Sequence, residues 1–195
     1  MPHLWGTANM NKDYTMAFPT LLGISGSLRK DSHNSLLLAE AARLFGNAVY
    51  AKADINLPLY NEDDEKAHGV PAAVDALAQQ IADADAVLIA TPEYNKGPSG
   101  ALKNALDWIS RSKVKPWGGK PVAIMSATAG RAGGERAQVV LRGFMVPFRP
   151  RILQGPEIHV AASYEAFDAQ GQLTGELYIK ELTQLMDGLR AEIAR

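Results

Sequence analysis

Cysteine is absent from this 195-residue chain, which excludes disulfides, thiolate metal ligands and a cysteine nucleophile. Any redox chemistry must therefore come from a bound group. An excess of one charge is also missing. Twenty basic and 21 acidic residues leave a net charge of −1, too little for a broad field toward nucleic acid or acidic lipid. The four histidines, His3, His33, His68 and His159, are scattered without ligand spacing, so a metal site is not expected. No apolar run approaches the roughly 18–20 residues that span a bilayer. Met1 to Thr20 lacks both a basic n-region and a continuous apolar h-region, which argues against a secretory signal. The expected compartment is the cytoplasm.

What is present describes a globular protein: 47% of the residues are apolar and 21% charged, far from the composition of a disordered chain. Residues 1–17 mix polar, aromatic and small residues without a helix or strand period. They are read as a poorly ordered extension, with Met16 an alternative start. Residues 18–195 are long enough for one domain with a full core.

Along that stretch strands and helices alternate. Phe18 to Ile24 is an apolar strand running into the cluster Ser25-Gly26-Ser27. A helical pattern begins near Ser32–Asn34, with Leu36, Leu37, Ala41 and Leu44 on one face. Ala48 to Ile55 reads as a weaker strand, followed by a loop that carries the acidic group Glu62–Glu65. Val70 to Ala82 has helical spacing, and Ala86 to Ala90 (AVLIA) is the continuous apolar run of a strand covered on both faces. Ala101 to Arg111 is a helix, Pro121 to Met125 a strand, and about Glu135 to Met145 a helix. Pro150 to Val160 contains the last strand, and Gly175 to Arg195 forms a terminal helix. Five strands separated by helices predict an α/β fold, a parallel sheet with helices on both faces and right-handed crossovers. Ligands of such sheets sit beyond the carboxyl ends of the strands, so the loops after strands one, three and four carry the chemistry.

The first loop, Ser25 to Asn34, offers hydroxyls at Ser27 and Ser32, backbone amides bared by Gly26, a helix amino terminus and the planar guanidinium of Arg29. All of these favour an anion. It is neither a Gly-Lys-Ser phosphate loop nor a Gly-x-Gly-x-x-Gly turn, and it suits a monophosphate better than a magnesium-bound triphosphate. The competing reading makes Ser32 or Asn34 a helix cap and leaves Arg29 solvated. The second loop, Thr91 to Gly100, supplies Pro92, Glu93, Tyr94 and Asn95 beside a flat ligand. The helix after it carries Trp108, read as core, and Lys103 and Asp107, spaced to pair on its surface. Glu93 is a lone loop carboxylate and receives no catalytic role. The third loop, Ser126 to Gly134, is rich in small residues that let a planar ligand approach the backbone, or else is a turn capped by Thr128.

Together these stretches resemble the NADPH-dependent FMN reductase family, the flavodoxin-like group that includes quinone, chromate and azo reductases. The resemblance covers about residues 18–160. It rests on GSLRKDSHN at Gly26–Asn34, TPEYN at Thr91–Asn95 and GALKNALDWISR at Gly100–Arg111. It implies a flavodoxin-like three-layer sandwich with strand order 2-1-3-4-5. Ser27, Arg29, Ser32 and Asn34 would form the FMN phosphate loop, with Leu28 and His33 of the same turn also at the cofactor. Pro92, Glu93, Tyr94 and Asn95 would lie along the isoalloxazine, with Ser126, Ala127 and Thr128 at its pyrimidine end. The chain departs from the family pattern at Lys96-Gly97-Pro98-Ser99-Gly100, where the proline is displaced by one residue beside the ring.

The resemblance also implies a homodimer or homotetramer, for which Phe144, Phe148 and Tyr164 are candidate contacts. The implied reaction is a ping-pong transfer. NADPH or NADH delivers hydride to bound FMN, and a small acceptor (a quinone, free flavin, an azo compound or chromate) then takes the electrons. Two other readings compete. A flavodoxin-like electron carrier would hold FMN without turning over NAD(P)H, although such carriers tend to be strongly acidic. A hydrolase or phosphatase using Ser25 or Ser27 lacks a Gly-x-Ser-x-Gly elbow and a partnered histidine.

Overall fold

Residues 18–195 are described by a computed structural model; the extension expected over 1–17 and the start at Met16 lie outside the described residues. The chain runs β1 (Thr20–Ser25), α1 (His33–Phe45), β2 (Val49–Lys52), α2 (Glu62–His68), α3 (Ala72–Asp83), β3 (Ala86–Ala90) and α4 (Gly100–Arg111). It continues through β4 (Pro121–Ala127), α5 (Glu135–Met145), a 3₁₀ turn (Val146–Phe148), β5 (Arg151–Ile152), β6 (Ile158–Val160) and α6 (Glu176–Ile193). The strands lie in the order β2-β1-β3-β4-β5, with β6 also paired to β4. All pairings are parallel. The α/β architecture and the strand order read from the sequence are thus the observed ones, with a sixth strand added.

That addition comes from the stretch expected to hold a single last strand. β5 pairs with Pro121 and Val122 of β4, and β6 pairs with Met125 to Ala127. Six residues on the edge span three on β4, so the surplus bows out between Ile152 and Ile158 and breaks the ladder. A second difference is α2. Its acidic residues Glu62 to Glu65 form the first helical turn, where they meet the positive end of the helix dipole. The Asn61 side chain accepts the Asp63 amide at 3.0 Å. Nothing on this helix is buried, so it has no apolar period, and the stretch read as loop.

Alternation along the strands explains the two-sided core. Leu21, Leu88, Ala123 and Met125 face α1 and α6, where they meet Leu37, Leu38, Phe45, Leu182, Leu185 and Leu189. Leu22, Ile24, Val87, Ile89, Val122 and Ile124 face the other way and pack with Leu77, Ile81, Leu102, Leu106 and Leu141. Because every side chain of β3 is buried, its AVLIA run carries no polar alternation. Trp108 belongs to this packing, and its Nε1 donates to the Pro58 carbonyl at 2.7 Å. Beside it Asn104 accepts the Tyr60 amide and donates to Pro58, at 2.8 and 2.9 Å. The two side chains strap the loop after β2 onto α4. Lys103 and Asp107 pair at 2.7 Å on the helix surface. Among the described residues no helix is long and apolar enough to cross a membrane.

Candidate flavin site

Between β1 and β3 the connections diverge: β1 pairs with β2 on one side and with β3 on the other. Loops leaving these two strands part at their carboxyl ends and open a crevice. A cavity of about 500 Å³ lies there, within the roughly 300–1,000 Å³ range of small-molecule sites. Its walls come from four places in the chain: the turn after β1, the turn after β3, the loop after β4 and the segment after β6.

The first wall carries Ser27, Arg29, Ser32, His33 and Asn34. Ser32 stands at the amino end of α1, yet its hydroxyl makes no capping bond. It is left for whatever enters the cavity, together with the helix's unpaired amides. The capping alternative therefore fails for Ser32. Ser27 accepts the Arg29 amide at 3.3 Å, which curls the turn, and the Arg29 side chain is exposed and lightly held by the Asp31 carbonyl at 3.4 Å. His33 contacts the Ser163 hydroxyl at 2.9 Å and stacks on Phe167. Asn34 is 3% exposed. Its amide donates to the Ala127 carbonyl at 2.9 Å and accepts the Ala127 amide at 3.0 Å, clamping the first wall to the third.

The second wall brings Pro92, Glu93 and Tyr94. Tyr94 and Gly97 exchange backbone hydrogen bonds at 2.9 and 3.1 Å, with Asn95 and Lys96 between them at φ 51° and 70°. Two successive positive φ values make this a tight primed turn, which asparagine tolerates well and lysine less so. Asn95 is exposed at its corner and does not line the cavity. Ser99, next after Pro98, acts twice: its hydroxyl caps α4 by accepting the Leu102 amide at 3.2 Å and donates to the Gly26 carbonyl. Gly26 is required at this seam, because a Cβ there would stand 3.0 Å from Thr91 and 3.2 Å from Pro92 and Ser99.

Ala127, Thr128, Ala129 and Gly130 form the third wall. Ser126 does not join them. It is fully buried, donates to the Gly133 carbonyl at 2.6 Å and receives Gln138 at 2.8 Å, so it braces the loop from behind. Two glycines of this loop, Gly133 and Gly134, have a different purpose from the one expected. Gly133 and Gly134 hold φ 60° and 94°, and side chains there would strike the His159 carbonyl and the Ser126 side chain. They serve packing against β6 and β4, while Ala127, Thr128, Ala129 and Gly130 border the cavity. Glu93 has a structural task as well: its carboxylate accepts the Ala137 amide at 3.1 Å and caps α5, whose own start at Gly134 has no side-chain cap.

Leu28 points elsewhere, into a smaller hollow on the far side of the same turn. Ser163 and Tyr164 form the fourth wall, which the motifs did not indicate. Ser163 N donates to the Thr128 carbonyl at 3.0 Å, a contact made possible by the pairing of β6 with β4. No local pattern marks these residues; an exposed tyrosine four residues after the last strand was the only signal. Phe144 and Phe148, the other candidate contacts, are half-buried and border a groove of about 790 Å³ between α4 and α5.

A doubly wound sheet of this order, with a hydroxyl-and-guanidinium turn and a tyrosine on one cavity at its carboxyl edge, defines a flavodoxin-like protein. A sequence profile described as NADPH-dependent FMN reductase matches residues 19–165. An NAD(P)H-dependent FMN reductase from Pseudomonas aeruginosa is 45% identical over 177 residues, 90% of this chain and 95% of that one. A quinone reductase from Escherichia coli K12 is 41% identical over 157 residues, covering 78% and 81% of the two chains. The solved structure of FerB, a flavoenzyme NAD(P)H:(acceptor) oxidoreductase from Paracoccus denitrificans, superposes with a TM-score of 0.81 at 35% identity, over 90% of this chain and 97% of that one. The chain belongs to the NADPH-dependent FMN reductase family, a family of oxidoreductases with FMN as cofactor and NAD(P)H as donor. The residues present fit that cofactor: the uncapped Ser32 hydroxyl, the Arg29 guanidinium and free helix amides suit a phosphate monoester, and Pro92, Tyr94 and Ala129-Gly130 border space for its ring.

Proposed function

We propose that this chain reduces quinones, and with them free flavin, azo compounds or chromate, at the expense of NAD(P)H in a ping-pong cycle. The observation that carries the reading is the meeting of Ser27, Arg29 and Ser32 with Pro92, Tyr94 and Thr128 around one cavity. Relatives named for FMN and quinone reduction support it. Bound FMN supplies the hydride acceptor and donor. The chain itself grips and orients. Arg29 and the hydroxyls of Ser27 and Ser32 hold the phosphate with charge-assisted hydrogen bonds. Pro92, Tyr94 and the Ala127–Gly130 segment, with the Thr128 side chain among them, would border the ring. His33 and Asn34 hold the first wall against Ser163 and Ala127, which keeps the hydroxyls aimed. No side-chain nucleophile is required. Nicotinamide and acceptor use the same open side in turn, so small flat oxidants of many kinds are accepted.

We further propose a homodimer or homotetramer, with the groove bordered by Phe144 and Phe148 as the face that another copy covers, and a cytoplasmic setting, where NAD(P)H is available. The test is optical. Purified protein mixed with FMN and desalted is expected to be yellow, to bleach with NADPH under nitrogen and to recolour when a quinone is added. Protein that retains no FMN refutes the whole reading, and bound FMN that NAD(P)H does not bleach makes the protein a carrier.

A further inference from the structure

Behind the phosphate turn lies a second, smaller hollow of about 230 Å³, sharing Ser27 and Arg29 with the main cavity. Three cations border it, Arg29, Lys30 and Lys52, against one carboxylate, Asp54. That carboxylate is partly engaged, since it accepts the Asn56 amide of its own loop at 2.8 Å. Lys52 is not loose either: its ammonium donates to the Ser35 hydroxyl at 3.0 Å, which holds it over the first turn of α1. Leu28, 55% exposed, gives the same hollow an apolar border. The whole chain carries only −1, so this concentration of positive charge is local.

We infer that this hollow receives the 2′-phosphate of NADPH, with Lys30 and Lys52 as the residues that select NADPH over NADH. The inference rests on the proposed flavin reading, because the main cavity is assigned to FMN and its phosphate. Size limits the occupant. The hollow falls below the roughly 300 Å³ at which whole small-molecule ligands are housed, so it takes a charged group with part of a sugar. Charge limits it further: with Arg29 engaged by the FMN phosphate, a doubly charged phosphate monoester gains most from the two ammonium groups of Lys30 and Lys52. Between the two nicotinamide donors, such a monoester is the sole chemical difference. The shared wall supplies the connection: a dinucleotide with its nicotinamide in the main cavity crosses the Ser27–Arg29 edge, beyond which Leu28 offers the adenosine an apolar contact.

The test uses FMN-loaded protein and the double variant Lys30→Gln/Lys52→Gln, both at exposed positions outside the flavin walls. KM for NADPH is expected to rise about tenfold or more, with kcat, KM for NADH and FMN content unchanged. Calorimetry supplies a readout independent of turnover: wild-type protein binds adenosine 2′,5′-bisphosphate more tightly than AMP, and the variant loses the difference. Equal losses for both donors overturn the inference, as does a variant that sheds FMN. Equal wild-type affinity for the two nucleotides, or an equal gain from inorganic phosphate added to AMP, also overturns it. Failure to bind FMN at all would instead sink the proposed function, while the nucleotide comparison would still report on the hollow.

Discussion

Asn34 spends both ends of its side-chain amide on the backbone of Ala127, 93 residues away. That arrangement turns a residue read as a phosphate ligand into one that also fixes the distance between two walls. Tyr50 is comparable in that a neighbour's missing atom defines its place. Its ring covers Gly23, where a Cβ would lie 2.5 Å from the phenol oxygen. Burial there pushes the Tyr50 hydroxyl up to about 12. Because the folded value stands above the unfolded one near 10, the phenol's contribution is complete below pH 10 and is lost as pH rises through 12. Partial solvent screening leaves about 1–2 kcal/mol of that contribution. Urea titrations at pH 9 and pH 12 should therefore show wild-type protein losing about that much more stability than Tyr50→Phe; equal losses would contradict the assignment.

At the scale of elements, the site is assembled from caps that reach across the chain. α4 is capped from within its own turn by Ser99, whereas α5 begins at a glycine and borrows the Glu93 carboxylate from the loop after β3. Replacing Glu93 with alanine leaves the Ala137 amide unpaired and should cost about 1 kcal/mol. Glutamine keeps an acceptor and should cost less, though it gives up the charge that favours a helix amino terminus. Denaturant midpoints of Glu93→Ala and Glu93→Gln check this, and an alanine variant as stable as wild type would rule the cap out. Helix α2 and the divided edge strand show why element boundaries escaped the sequence. A wholly exposed seven-residue helix has no apolar face to betray it, and the gap between β5 and β6 depends on the register of β4, which no local pattern states.

Considered as a whole, the molecule has two apolar layers, one on each face of the sheet, and a cavity where four segments converge at the sheet's carboxyl edge. A ligand bound there and absent from the unfolded chain stabilises the fold by mass action. FMN at about a hundred times its dissociation constant is expected to add about 2.7 kcal/mol. That gain is read as a rise in thermal midpoint with FMN and none with riboflavin at equal concentration, because the phosphate wall is the charged part of the site. A rise of the same size with riboflavin would show that Ser27, Arg29 and Ser32 contribute nothing.

The sequence alone determined the α/β class, the strand order through its resemblance, and the three loops in which the ligand groups reside. Hydrophobic period and the placing of serine, glycine and proline are local properties, and Ala86–Ala90 or Ser25–Asn34 display them openly. Tertiary structure decided which way each of those side chains turns. It sent Ser126 inward to Gly133, gave Glu93 to α5, set Leu28 on the far side of the phosphate turn, and brought Ser163 and Tyr164 to the cavity. The reason is range: a contact such as His33 with Ser163, 130 residues apart, exists only after β6 has paired with β4, and nothing within either segment encodes the other's position.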